Sequence, residues 1–169
     1  MKKNILRAAA VCVALMMASA VFAEDLLNAN DLTVADLSAE MKVDDTFKIE
    51  ASAEKAVNIQ ASDPHTAADG EVFNQRIKLG GAGSAAFRSI VFTAKANAKV
   101  TVYGVSSSKT DVRVINVVSS TDGSVVATIN VNPDDMKTAG KETVTIPADG
   151  SYYLTSKSGG VYIYAVSIQ

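Results

Sequence analysis

The chain is 169 residues long, 48% apolar and 20% charged, with a formal net charge of −2, one histidine, one cysteine and no tryptophan. A lone histidine rules out a zinc site built from several imidazoles, and the acidic balance argues against nucleic acid as a partner. Without tryptophan there is no large flat platform of the kind on which neutral sugars usually stack.

From the N-terminus, Lys2, Lys3 and Arg7 precede an apolar run of ten residues at 8–17. A membrane span needs ~20 such residues, so the run reads as the hydrophobic part of a secretory signal and not as an anchor. Small residues at Ala18, Ser19 and Ala20, then Val21-Phe22-Ala23 ahead of the acidic Glu24-Asp25, place cleavage after Ala23. The expected layout is a signal peptide at 1–23, an N-terminal lead-in segment at 24–45 and a β-sandwich domain at 46–169. The product is expected to be secreted or periplasmic, with no membrane insertion after cleavage. Cys12 departs with the signal, which leaves no disulfide and no thiolate chemistry. Three cations depart with it, and the net charge becomes −5.

In the lead-in, Val34, Leu37 and Met41 fit two turns of helix, and Thr33 with Asp36 resembles a capping box. An extended segment packed along the domain is the alternative. From Thr46 onward, short runs rich in Val, Ile, Thr, Tyr and Phe recur between Gly, Ser, Asn and Asp clusters. They predict strands at 47–51, 57–61, 74–79, 87–93, 98–105, 112–118, 124–130, 142–146, 151–155 and 161–168. The fold class is therefore all-β, an antiparallel β-sandwich of jelly-roll type. Thr121-Asp122-Gly123-Ser124 and Pro147-Ala148-Asp149-Gly150 read as hairpin turns, while 80–84 and 158–160 read as glycine-rich connections. Ile77 and Leu79 face the core with Arg76 and Lys78 opposite, and the run 161–166 predicts a central strand whose tyrosine hydroxyls reach the rim.

The glycines at 80–84 lack the Gly-Lys-Ser/Thr ending of a phosphate loop, and the carboxylates lie in expected turns, so no enzyme active site is recognisable. No cofactor is expected. A structural calcium is the one metal alternative, with Asp63, Asp69 and Glu71 or Asn132, Asp134 and Asp135 as oxygen donors, set against solvated loop acids. Positive evidence lies in the cations Arg76, Lys78, Arg88, Lys109, Arg113 and Lys157, each beside small polar residues. A uronate carboxylate accepts paired hydrogen bonds from Arg or a single charged one from Lys. Solvated charges, or arginines tying loops together, are the alternative.

The series Arg76-Ile77-Lys78-Leu79-Gly80-Gly81-Ala82-Gly83-Ser84, then Phe87-Arg88-Ser89-Ile90-Val91-Phe92, continues through Val100-Thr101-Val102-Tyr103-Gly104 and Arg113. It ends in Gly150-Ser151-Tyr152-Tyr153-Leu154 and Gly160-Val161-Tyr162-Ile163-Tyr164. This series resembles the β-sandwich modules appended to bacterial pectate lyases, including pectin-binding carbohydrate-binding modules, over residues 47–169. The resemblance implies a non-catalytic module that holds acidic plant polysaccharide through lysines in place of tryptophans. Carried onto this chain, it points to Lys78, Arg88, Arg113 and Lys157, with Tyr103 as a partial stacking surface and Lys109 as a weaker choice. Arg88 and Arg113 have the alternative role of internal braces. The expected partners are an acidic polysaccharide or another exported protein, the latter making the chain a structural or interaction sandwich of the cell envelope or surface.

Overall fold

The computed structural model describes residues 24–169; the expected signal segment and Cys12 lie outside the described residues. The ten runs rich in β-branched and aromatic residues all form strands: β4 (Phe47–Glu50), β5 (Val57–Ala67), β6 (Val72–Leu79), β7 (Ser89–Ala94), β8 (Lys99–Ser106), β9 (Arg113–Ser119), β10 (Val125–Val131), β11 (Thr138–Thr145), β12 (Gly150–Ser156) and β13 (Val161–Ile168). Three short strands precede them: β1 (Asp25–Asn28), β2 (Ala35–Leu37) and β3 (Met41–Lys42). One sheet runs β10-β9-β12-β7-β4-β3. The other runs β1-β13-β6-β5-β11-β8, with β2 added on β5.

The alternation along each strand decides which face is buried. Ile77, Leu79, Ile90, Phe92, Ile163 and Val166 all point between the two sheets, each essentially without solvent contact. Burying a side chain of that size contributes ~1.5–3 kcal/mol, which makes this face the main stabilising feature and fixes the register of the strands. β13 is central as expected, with β8 along one side and first β6, then β1, along the other.

The lead-in departs from the helical reading. β1 pairs Asp25–Asn28 against residues 165–168 of β13, β2 pairs with β5, and β3 pairs with β4. Without β1, the lower half of β13 would leave a row of backbone groups unpaired, and satisfying it outweighs a weak local helical pattern. Val34, one of the three apolar residues of that pattern, is exposed.

A second correction concerns 147–150. Thr121–Ser124 does join neighbouring strands β9 and β10 as a hairpin, but Pro147–Gly150 carries the chain from β11 in one sheet to β12 in the other. Asp149 fixes this crossing by accepting from the backbone N–H of Ala96 (2.8 Å) and from Lys95 Nζ (3.0 Å).

The hairpin of β5 and β6 is longer than expected. Its distal half bends, through an irregularity between Ala61 and His65, over the outer face of its own sheet. There Thr66 and Ala67 pair with the first residues of β11, and because β8 also pairs with β13, the strands β13-β6-β5-β11-β8 close into a ring. The ring encloses a second, smaller core of Phe73, Tyr103, Val105, Tyr164, Ala165 and Ala139. Tyr164 is accordingly not at the rim: it is 0% exposed and its hydroxyl has no hydrogen-bond partner among the described residues.

Candidate functional site

Strand directions bring the turns 80–88, 107–112 and 157–160 to one end of the sandwich. Residue Ala82 bridges Ser156, and the backbone N–H of Ser107 donates to the Gly160 carbonyl at 3.0 Å. The three turns therefore form one continuous rim. The adjoining segment 132–137, tied to the middle turn by the Asp134 backbone N–H donating to the Ser108 carbonyl at 2.9 Å, brings Asp134 and the exposed Asp135 to the same end. Within the three turns and Arg113 at their base, Arg88, Lys109, Arg113 and Lys157 stand against one carboxylate, Asp111. That carboxylate is engaged by the hydroxyls of Ser108 (3.0 Å) and Thr110 (3.1 Å).

Arg113 is a brace. Its Nη1 donates to Ser107 Oγ at 2.7 Å and to the Gly160 carbonyl, so one guanidinium ties the second and third turns together. Gly159 makes room for it: the residue has φ of +68°, and an added Cβ would lie 2.7 Å from the Arg113 guanidinium carbon. Only glycine meets both demands without strain.

Arg88 is held differently. It sits in the left-handed region at φ +49°, uncommon for a residue with a side chain, and Thr155 Oγ1 donates to its carbonyl at 3.2 Å. Gly83 lets the chain turn back beside it, because an added Cβ there would collide with the carbonyls of Phe87 and Arg88. The guanidinium lies along the backbone of Gly80 and Gly81. Its Nε is withdrawn from solvent with no hydrogen-bond partner, and no carboxylate among the described residues pairs with it. Lys157 is exposed, with its backbone N–H donating to the Val114 carbonyl at 2.8 Å, and its ammonium makes no ion pair among the described residues. Lys109 stands exposed on the middle turn.

Lys78 belongs to the neighbouring face. It lies on β6 across from Asn58 and Tyr162, on the outer side of the sheet just below the rim, and has no acidic partner among the described residues. Tyr103 is also placed elsewhere. It is only 9% exposed, packs against Phe73 with ring centroids 5.3 Å apart, and donates its hydroxyl to Asp69 at 2.8 Å. Lys141 covers it further, so the expected stacking surface is closed.

Around that second core the sheet face carries charged groups that sequence spacing did not join. His65 is 0% exposed; its Nδ1 lies 2.8 Å from the Asp63 carbonyl and its Nε2 3.0 Å from Asp134 Oδ1. Arg76 reaches Asp134 at 3.7 Å and lies 3.7 Å over the Tyr162 ring. Lys141 and Asp69 pair at 2.7 Å. The hydrogen bonds from Lys141 and then Tyr103 lower the Asp69 carboxyl to about 2 and raise the Lys141 ammonium. Burial raises the Tyr164 phenol, with Asp134 adding to the effect. Of the acids considered for calcium, Asp69 and Asp134 are thus spent on these contacts and Asp135 on the backbone N–H groups of Lys137 and Thr138, whereas the carboxylates of Asp63 and Glu71 take part in none of them. Among the described residues no three carboxylate or imidazole side chains converge on one point. A lone histidine in an alternating strand was the only sequence signal for this cluster, and nothing local tied it to an aspartate 69 residues away.

No protein-family model and no curated protein matches the sequence. Among solved structures, the K2 cleaved adhesin domain of Lys-gingipain is similar at 12% identity and a TM-score of 0.50, covering 87% of this chain and 99% of that one. A family 6 carbohydrate-binding module aligns at 10% identity and a TM-score of 0.49, over 86% of this chain and 92% of its own. Another family 6 module, from Clostridium stercorarium in complex with cellobiose, aligns at 15% identity and a TM-score of 0.46, over the same shares. At these identities, what the chain shares with the adhesin domain is the two-sheet sandwich itself.

Proposed function

We propose that the protein is an exported, non-catalytic binding module whose loop rim holds an acidic polysaccharide of the polygalacturonate kind. The observation that carries this reading is the Arg88 guanidinium, laid against Gly80 and Gly81 with a desolvated Nε and no carboxylate among the described residues to meet it. Withdrawing part of a charged group from water is unfavourable until an anion supplies the missing hydrogen bonds, and a carboxylate fits the guanidinium fork. Lys157 and Lys109 extend the positive surface along the rim, and Lys78 flanks it on the sheet face. Arg113 holds the turns in place through the two hydrogen bonds of its Nη1. The exported location follows from the apolar run at 8–17 and its cationic start.

The test is a binding isotherm with polygalacturonate at low and high salt beside a neutral β-glucan. The module binds the anionic polymer, weakens as salt rises because exposed charges are screened over ~10 Å at 0.1 M, and ignores the glucan. Equal binding of both polymers, or salt-independent binding, contradicts the proposal. A second reading, an interaction sandwich of the cell envelope, is favoured by one feature, the open edge of β10.

A further inference from the structure

The outermost strand of the six-stranded sheet, β10, pairs with β9 along one side only. Among the described residues, no backbone or side-chain group bonds the main chain of 125–131 from the other side. Exposed edges are ordinarily blunted by charge, proline, brevity or a β-bulge. The opposite edge of the same sheet follows that rule. β3 is two residues long, and ion pairs of Lys42 with Asp45 (2.7 Å) and Lys48 with Glu40 (2.9 Å) crowd it. β11, in the other sheet, carries Lys141 and Glu142.

β10 carries such an irregularity only at its start, between Val125 and Ala127. From Gly123 to Asn132 there is neither a charged residue nor a proline, in a chain where 20% of residues are charged. Its composition, Val125-Val126-Ala127-Thr128-Ile129-Asn130-Val131, has high strand propensity, and Thr128 and Asn130 stand exposed on the outer face. An irregularity between Val125 and Ala127 leaves the stretch 127–131 in regular register. From this we infer that β10 is a homodimer seam: two copies join antiparallel, β10 against β10, across a two-fold axis.

A second copy is the occupant the chemistry favours. An uncharged strand meets itself without like-charge repulsion, and Thr128 and Asn130 face their counterparts as a small polar cross-strand pair. A two-fold contact also consumes both open edges at once, leaving only the protected β3 edges at the ends of the joined sheet, so the assembly stops at two. The inference is independent of the loop rim, which lies at the strand ends and not along this edge.

The experiment is sedimentation equilibrium on the wild-type chain and on two double variants, Thr128→Lys with Asn130→Lys and Thr128→Glu with Asn130→Glu, all in the same processed form. The wild type is a reversible dimer within concentrations up to about 0.5 mM, and each variant weakens dimerisation by at least about tenfold through like charges facing across the axis. Mixing the lysine and glutamate variants restores the dimer. In the wild type, exchange of the amides of 125–131 slows as concentration rises, a readout that holds even if a variant folds poorly. A wild-type monomer at every concentration, a dimer that both variants retain, or a mixture that stays monomeric overturns the inference.

Discussion

The loop rim and the face of the ring-closed sheet both carry cations beside aromatic or glycine-rich backbone, yet they use them in opposite ways. On the face, Arg76 is held by Asp134 and Tyr162, and Lys141 by Asp69, so the charge there fastens the distal half of the β5–β6 hairpin over the second core. On the rim, Arg113 acts as a fastener, while Arg88, Lys109 and Lys157 have no carboxylate partner among the described residues. Counting cations therefore does not locate a binding surface. Subtracting those already bonded within the fold leaves the cations on which the proposal rests.

The largest effect that sharpens this contrast comes from the face. Phe73 is 2% exposed and stacks on Tyr164 at 5.4 Å, so Phe73→Ala removes the centre of the second core. Its expected cost is about 3–5 kcal/mol, measured by denaturant unfolding. A loss below about 1 kcal/mol would show that the ring-closed core is not a stabilising unit.

On the rim, Arg113→Ala removes two hydrogen bonds that join turns 107–112 and 157–160. It lowers stability by about 1–3 kcal/mol, whereas Arg88→Gln, with no bond from its guanidinium to lose, stays within about 1 kcal/mol of wild type. Equal losses at the two positions would break the distinction between a brace and a partnerless cation.

Acid gives a smaller effect confined to the face. The Asp69 carboxyl is held at about 2 in the fold against 3.8 ordinarily, so its contribution is present above pH 4 or so and is lost as pH falls from about 4 toward 2. Replacing Lys141 by Met removes the main cause of that depression and flattens the stability curve in this window. An unchanged acid limb in Lys141→Met would mean that the pair does not hold in solution.

Most of the fold was legible because strand periodicity and turn composition are local. Residues 77 and 79 inward with 76 and 78 outward needed nothing beyond alternation. What escaped the sequence depends on distant pairing. The strand character of 25–42 is set by open partners on β13, β5 and β4, and the bend of the β5–β6 hairpin is set by the free start of β11. The same holds at the site. Arg88, Arg113 and Lys157 are recognisable as cations near glycines, and the fold gathers their turns, but Tyr103 is closed by Phe73, Asp69 and Lys141, which lie 30 or more residues away in the chain.

The most direct test of the central claim, that the partnerless cations of the rim hold an acidic polysaccharide, is calorimetric titration of polygalacturonate into wild type and into the double variant Arg88→Gln with Lys157→Gln at low salt. The expected result is measurable binding by the wild type, at least about tenfold weaker binding by the variant, and melting temperatures within a few degrees of each other. No binding by the wild type, or an affinity that the double variant retains, would contradict it.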